Sequence, residues 1–159
     1  MKVSVKFILA AGLFLLTNLS FAQTSKYKCM IQMNSYQGEK AYVIVSLVNA
    51  KGVYEKTLKI LGPDKQWFNT LKEWYKFQTR TKEKVNAVTG ASIGGGDRAV
   101  FTIEVDKAKL NAGYTLRFES AVEEQKYHIK DLEVPLTTTG LAAKTDGKGY
   151  IRYVRFSGS

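Results

Sequence analysis

The chain has 159 residues, a formal net charge of +10, one cysteine and one histidine. A lone cysteine excludes an intrachain disulfide, and a lone histidine excludes multi-histidine metal sites and leaves any His-dependent triad a single residue to use, His128. The sequence also contains no GxSxG elbow, Walker loop or cysteine–histidine metal spacing, so the common enzyme classes find no support.

Lys2 and Lys6 precede an apolar run from Phe7 to Leu16, and Ser20-Phe21-Ala22 places small residues where a signal peptidase reads. Residues 1–22 are therefore predicted to be a signal peptide cleaved after Ala22. The apolar run is shorter than the roughly 20 residues a spanning helix needs. Cys29 follows Lys26-Tyr27-Lys28, which is not a lipoprotein cleavage box. Residues 23–159 are expected to form one domain in the periplasm or outside the cell, monomeric and without a membrane span. Loss of Lys2 and Lys6 lowers the charge from +10 to +8. In an exported protein this excess suits acidic cell-surface material or phosphate-bearing small molecules, or simply a solvated basic surface, rather than nucleic acid.

Tyr27, Cys29, Ile31 and Met33 alternate with Lys28, Met30 and Gln32, the period of a half-buried strand, so Cys29 is expected to be a buried, inert thiol. A turn at Asn34–Gly38 leads to a Val/Ile-rich strand from Ala41 to Asn49. Ala50-Lys51-Gly52 then connects it to a strand over Val53–Ile60, with Tyr54, Leu58 and Ile60 on one face of a hairpin. From Gln66 to Phe77 the spacing turns helical, with Trp67, Leu71, Trp74 and Tyr75 on one face. A helix anchored to the sheet is expected there, with an aromatic platform as the alternative. Strands follow over Ala99–Val105, Tyr114–Phe118, Tyr127–Leu136 and Gly149–Phe156. Leu110–Tyr114 loosely resembles a Greek-key corner, and a Thr/Gly/Lys-rich loop is expected over residues 137–148. About seven strands and one short crossover helix, without alternating strand–helix units, predict an all-β, immunoglobulin-like antiparallel sandwich.

Chemistry concentrates in one stretch, Asn86-Ala87-Val88-Thr89-Gly90-Ala91-Ser92, followed by Ile93-Gly94-Gly95-Gly96-Asp97. Hydroxyls beside glycines let a backbone approach a ligand closely. Between Lys51 and Lys84 nine cations face four acids, an excess of +5, which would favour a phosphate beside this loop. Asp131 and Glu133 are expected on one solvated strand face, and Glu123-Glu124 in a turn.

Trp74 followed by NAVTGAS and a glycine turn resembles the family called domain of unknown function 2271, small exported bacterial proteins with a "DAVTGAT"-like motif. The same heptad is similar to the acceptor motif of proteins that carry covalent FMN. There an acidic residue opens the motif and a terminal Thr or Ser takes the flavin through a phosphoester. By that resemblance Asn86 stands at the acidic position without a carboxylate, Thr89, Gly90 and Ala91 match, and Ser92 is the acceptor. The resemblance implies an exported, non-enzymatic domain accessory to membrane redox or iron-uptake systems, with an FMN transferase and a PepSY-type membrane protein as partners. The alternative is a cofactor-free periplasmic binding module for an anionic or protein partner.

Overall fold

The computed structural model describes residues 23–158, so the predicted signal peptide lies outside the described residues. One sheet contains β1 (Thr24–Met33) and further strands from the middle and end of the chain, β5 (Arg98–Asp106), β8 (Thr145–Asp146) and β9 (Ile151–Gly158), in the order β5-β1-β9-β8. The other holds β2 (Tyr42–Val48), β3 (Tyr54–Leu61), β4 (Thr89–Gly90), β6 (Thr115–Ala121) and β7 (His128–Pro135), in the order β4-β3-β2-β6-β7. Seven of these strands are long and two are dipeptides, so the predicted sandwich stands. Its one departure from antiparallel pairing is β4, which runs parallel to β3.

Alternation explains the layers. Cys29, Ile31 and Met33 of β1, with Phe101, Ile103 and Val105 of β5, point inward against Val43, Val45, Leu47 and Phe118. Burial pushes the Cys29 thiol far above its ordinary pKa, leaving it protonated and inert. Strand β2 is buried from Val43 to Val48 and apolar there except for Ser46, because it is covered on both faces. On the outer face Ile44, Ile60 and Ala121 meet the helix α1 (Lys72–Thr81) and the 3-10 turn before it, Lys65–Thr70.

The helical segment differs from expectation. A single helix over Gln66–Phe77 is predicted; instead a 3-10 turn breaks at Leu71 and α1 then runs on to Thr81. Three residues per turn in the first part rotate Trp67 outward and bring Phe68 in. Leu71 and Trp74 are buried as predicted, whereas Trp67 and Tyr75 are 36% and 37% exposed, and Phe77 takes the inner place. Four buried side chains, Phe68, Leu71, Trp74 and Phe77, each contribute roughly 2 kcal/mol of apolar burial.

Further expectations fail for local reasons. Register shifts in the β2–β3 pair make Leu58 the extra residue opposite Val45–Ser46, turning it into the inter-sheet core, away from Tyr54 and Ile60 on the helix side. Asp131 is not on a solvated face. It is fully buried, and it accepts from Ser120 Oγ (2.5 Å) and from the amides of Lys148 (3.1 Å), Gly149 (2.7 Å) and Ile151 (3.0 Å), pinning the β8–β9 loop to β7. The Thr/Gly/Lys-rich loop contains a short helix, α2 (Thr138–Ala142), capped by the Thr137 hydroxyl on Gly140 N at 2.9 Å. Tyr114 reaches Glu55 at 3.3 Å rather than upstream backbone, so Leu110–Tyr114 is not a tyrosine corner.

The helix N-terminus is held from outside. Leu71, at the cap position, supplies no side-chain bond. Glu119, fully buried on β6, accepts from Trp74 N at 3.4 Å, Tyr54 Oη at 2.5 Å and Tyr127 Oη, while the Tyr127 oxygen accepts from Glu73 N at 3.1 Å. Burial raises the Glu119 pKa above the ordinary range, against the opposing pull of those donors and of Arg117. The folded state therefore binds the Glu119 proton more tightly than the unfolded chain does. The stability linked to it is complete below the ordinary glutamate pKa and is lost as pH rises through the folded value. Urea unfolding is expected to show Glu119→Ala destabilised by about 3 kcal/mol, since it orphans two hydroxyls and an amide. Glu119→Gln is expected to flatten the fall in stability from about pH 4.5 towards neutrality; an unchanged pH slope would contradict this titration.

Candidate functional site

The heptad lies along the edge of the five-stranded sheet. Asn86–Val88 form one 3-10 turn. Thr89 and Gly90 then pair with Ile60 and Leu61, and Gly62 N donates to Gly90 O at 2.8 Å. The Thr89 hydroxyl donates to Val85 O at 2.8 Å, closing the turn on itself. This short strand covers part of the β3 edge, a place where exposed amides invite unwanted pairing. Ala91 is exposed, and Ser92 is half-buried.

Beyond Ser92 the chain is tied to the start of β2. Ile93 and Ala41 exchange both backbone bonds, at 2.8 and 3.1 Å, and Tyr36 Oη bridges Ala41 N (2.8 Å) and Ile93 O (2.9 Å). That bridge sets Lys40 and Tyr42, the neighbours of Ala41, beside Ser92. Together with Glu39, Trp67 and Glu123 they line a cleft of about 260 Å3. Among the described residues the Ser92 hydroxyl makes no hydrogen bond, so its oxygen is free for chemistry.

The candidate residues are not brought to one place. Ser92 faces this cleft, Ala87 and Val88 line a second beside Leu58 and Thr102, and Asn86 lines a third beside α1. Gly90 sits against Lys59, whose Nζ would lie 3.4 Å from an added Cβ. The glycine run is a packed turn rather than an open phosphate cradle. Gly95 is required because a Cβ there would stand 2.3 Å from Tyr36 O, and Gly96 because φ is +79°. Gly96 N donates to Asn34 O at 2.8 Å and Asp97 N to Gly94 O at 3.1 Å, so those amides are already used. Lys40, Tyr42 and Lys59 escape a reading of the sequence because nothing local marks them; the Ala41–Ile93 bridge and the β3–β4 pairing place them here.

Two face-packed sheets with a helix in the crossover between β3 and β5 define the class as an immunoglobulin-like β-sandwich. The chain belongs to the family described as predicted periplasmic protein (DUF2271), which matches residues 24–153 and so takes in the whole loop. That description places the protein in the periplasm, and no helix among the described residues is long and apolar enough to cross a membrane. No curated protein and no solved structure matches the chain.

Gly95→Ala is expected to lower stability by about 2 kcal/mol in chemical denaturation, because the added methyl meets backbone rather than a movable side chain. Gly158, with no atom within 4 Å of an added Cβ, is expected to tolerate the same change.

Proposed function

We propose that this periplasmic domain is a carrier rather than an enzyme, that FMN is joined through a phosphoester to the Ser92 hydroxyl, and that it serves membrane redox or iron-uptake machinery. The observation that carries the reading is the unpartnered Ser92 hydroxyl in the lining of a cleft that Tyr42 and Trp67 also line.

The residues present suit such a group. Trp67 and Tyr42 offer ring faces for a flat heterocycle, and Lys40 is the cation available to the phosphate. The cleft is smaller than the ~300 Å3 at which ligand pockets begin, and Glu39 and Glu123 oppose an anion within it. Free FMN would therefore bind weakly. A covalent link removes that difficulty, since it holds the group at a high effective concentration without requiring an enclosing pocket. Bound FMN would supply one- and two-electron transfer, and a half-exposed attachment point leaves it open to a partner. The Thr89 hydroxyl, committed to Val85 O, would hold the turn rather than accept the flavin. Asn86 stands where the resemblance asks for an acid, on another cleft, and this favours a second reading, a cofactor-free module whose ligand occupies the Tyr42–Trp67 cleft.

Co-expression with an FMN transferase in the periplasm, followed by intact-mass measurement, separates the two. The wild type and Thr89→Ala are expected to gain one FMN, Ser92→Ala none, and Asn86→Asp a larger modified fraction. A wild type without adduct, or an adduct that persists in Ser92→Ala, would leave the cofactor-free module standing.

A further inference from the structure

The cleft that Asn86 lines, of about 510 Å3, opens between the Lys65–Thr70 turn and α1. Its size falls within the ~300–1,000 Å3 of small-molecule sites, unlike the Ser92 cleft. Phe68, almost wholly buried, and Tyr75, 37% exposed, provide apolar surface on its wall. Lys65, Lys82 and Lys84 also line it.

Charge is uncompensated here. None of the three ammonium groups makes an ion pair or hydrogen bond among the described residues. The carboxylate on the wall, Glu83, is turned to β3, where it accepts from Thr57 Oγ1 at 2.6 Å and from Thr57 N at 3.2 Å. Thr57 Oγ1 in turn accepts from Trp74 Nε1 at 2.9 Å, so Glu83 is part of the helix anchor and is not available to the lysines. A solvated basic helix face would explain cations alone. It does not explain three unpaired cations set around apolar aromatic surface in a cleft of this size. Lys82 also adopts the left-handed cap conformation, φ 52°, where glycine would be easier.

We propose that this cleft is a ligand site for a small organic anion with a flat apolar body, an aryl phosphate in the simplest form. The ring would lie on the exposed face of Tyr75, beside the edge of Phe68, and the phosphate among Lys65, Lys82 and Lys84. The apolar wall gives area that a free phosphate cannot use, and the lysines give a field that a neutral aromatic cannot use. The site is separate from Ser92 and does not depend on flavin attachment.

The test is calorimetric titration of the protein with 1-naphthyl phosphate, with 1-naphthol and inorganic phosphate as parallel arms. Saturable binding of naphthyl phosphate is expected, about tenfold tighter than either arm, and weakening as salt rises from ~50 to ~200 mM. Lys82→Gly/Lys84→Ala, whose glycine suits the left-handed cap and keeps the fold, is expected to weaken it about tenfold, and Tyr75→Ala several-fold. Ser92→Ala is expected to leave it unchanged. No saturable binding, binding equal to that of naphthol or of phosphate alone, or binding unaffected by Lys82→Gly/Lys84→Ala in a variant with native melting behaviour would each overturn the proposal.

Discussion

The buried carboxylate of Glu119 is the constraint on which the outer layer rests. A helix that begins at Lys72 without its own cap leaves amide donors unsatisfied, and the sheet beneath supplies the acceptors instead. Two tyrosine hydroxyls, from β3 and from the segment before β7, converge on the same carboxylate. The apolar contacts of Phe68, Leu71, Trp74 and Phe77 bring the helix down, but they do not choose its position along the sheet. Directional bonds to a buried carboxyl group do. Arg117, stacked over Tyr54 at 5.1 Å and paired with Glu133 at 2.8 Å, keeps a positive charge close to that group.

Everything near the candidate sites follows from that docking. The 3-10 turn before α1 carries Trp67 to the wall of the Ser92 cleft, and α1 carries Tyr75 and, at its C-terminal cap, Lys82 to the basic cleft. Beyond the helix, Glu83 ties the chain to Thr57, and the heptad then runs back along the β3 edge. The loop thus serves the fold first: Thr89 and Gly90 pair with the edge, and Gly94 to Asp97 close a packed turn. Only Ser92 is left with a free hydroxyl.

The charge distribution has the same logic. The excess of +5 between Lys51 and Lys84 is not spread evenly, because its acids are used elsewhere. Glu55 pairs with Lys109 at 2.5 Å, a hydrogen bond that also holds its carboxyl below the usual range, and Glu83 is given to Thr57. Glu73 pairs with Lys76 at 2.6 Å on the solvated side of α1. Among the described residues, Arg80, Lys82 and Lys84 are thus left without acidic partners at the C-terminal end of α1, where the helix dipole also favours cations.

Much of the layer plan was legible in the chain. Alternation in β1 and β5 and the apolar run of β2 report local periods, and a period of two needs no distant partner to be read. The Asn86–Ser92 stretch was legible in the same way, since it departs sharply from its surroundings. What periodicity concealed were features made by register and by contact. The displaced Leu58 needed the pairing of β2 with β3, the burial of Asp131 and Glu119 needed the groups that cover them, and the outward turn of Trp67 needed the 3-10 start of the helical segment. The sequence by itself thus determined a sandwich with one helix and a distinctive loop. Tertiary structure alone decided that Lys40 and Tyr42 flank Ser92 while Asn86 faces another cleft, because the Ala41–Ile93 bridge joins residues far apart in the chain and splits a contiguous motif over separate surfaces.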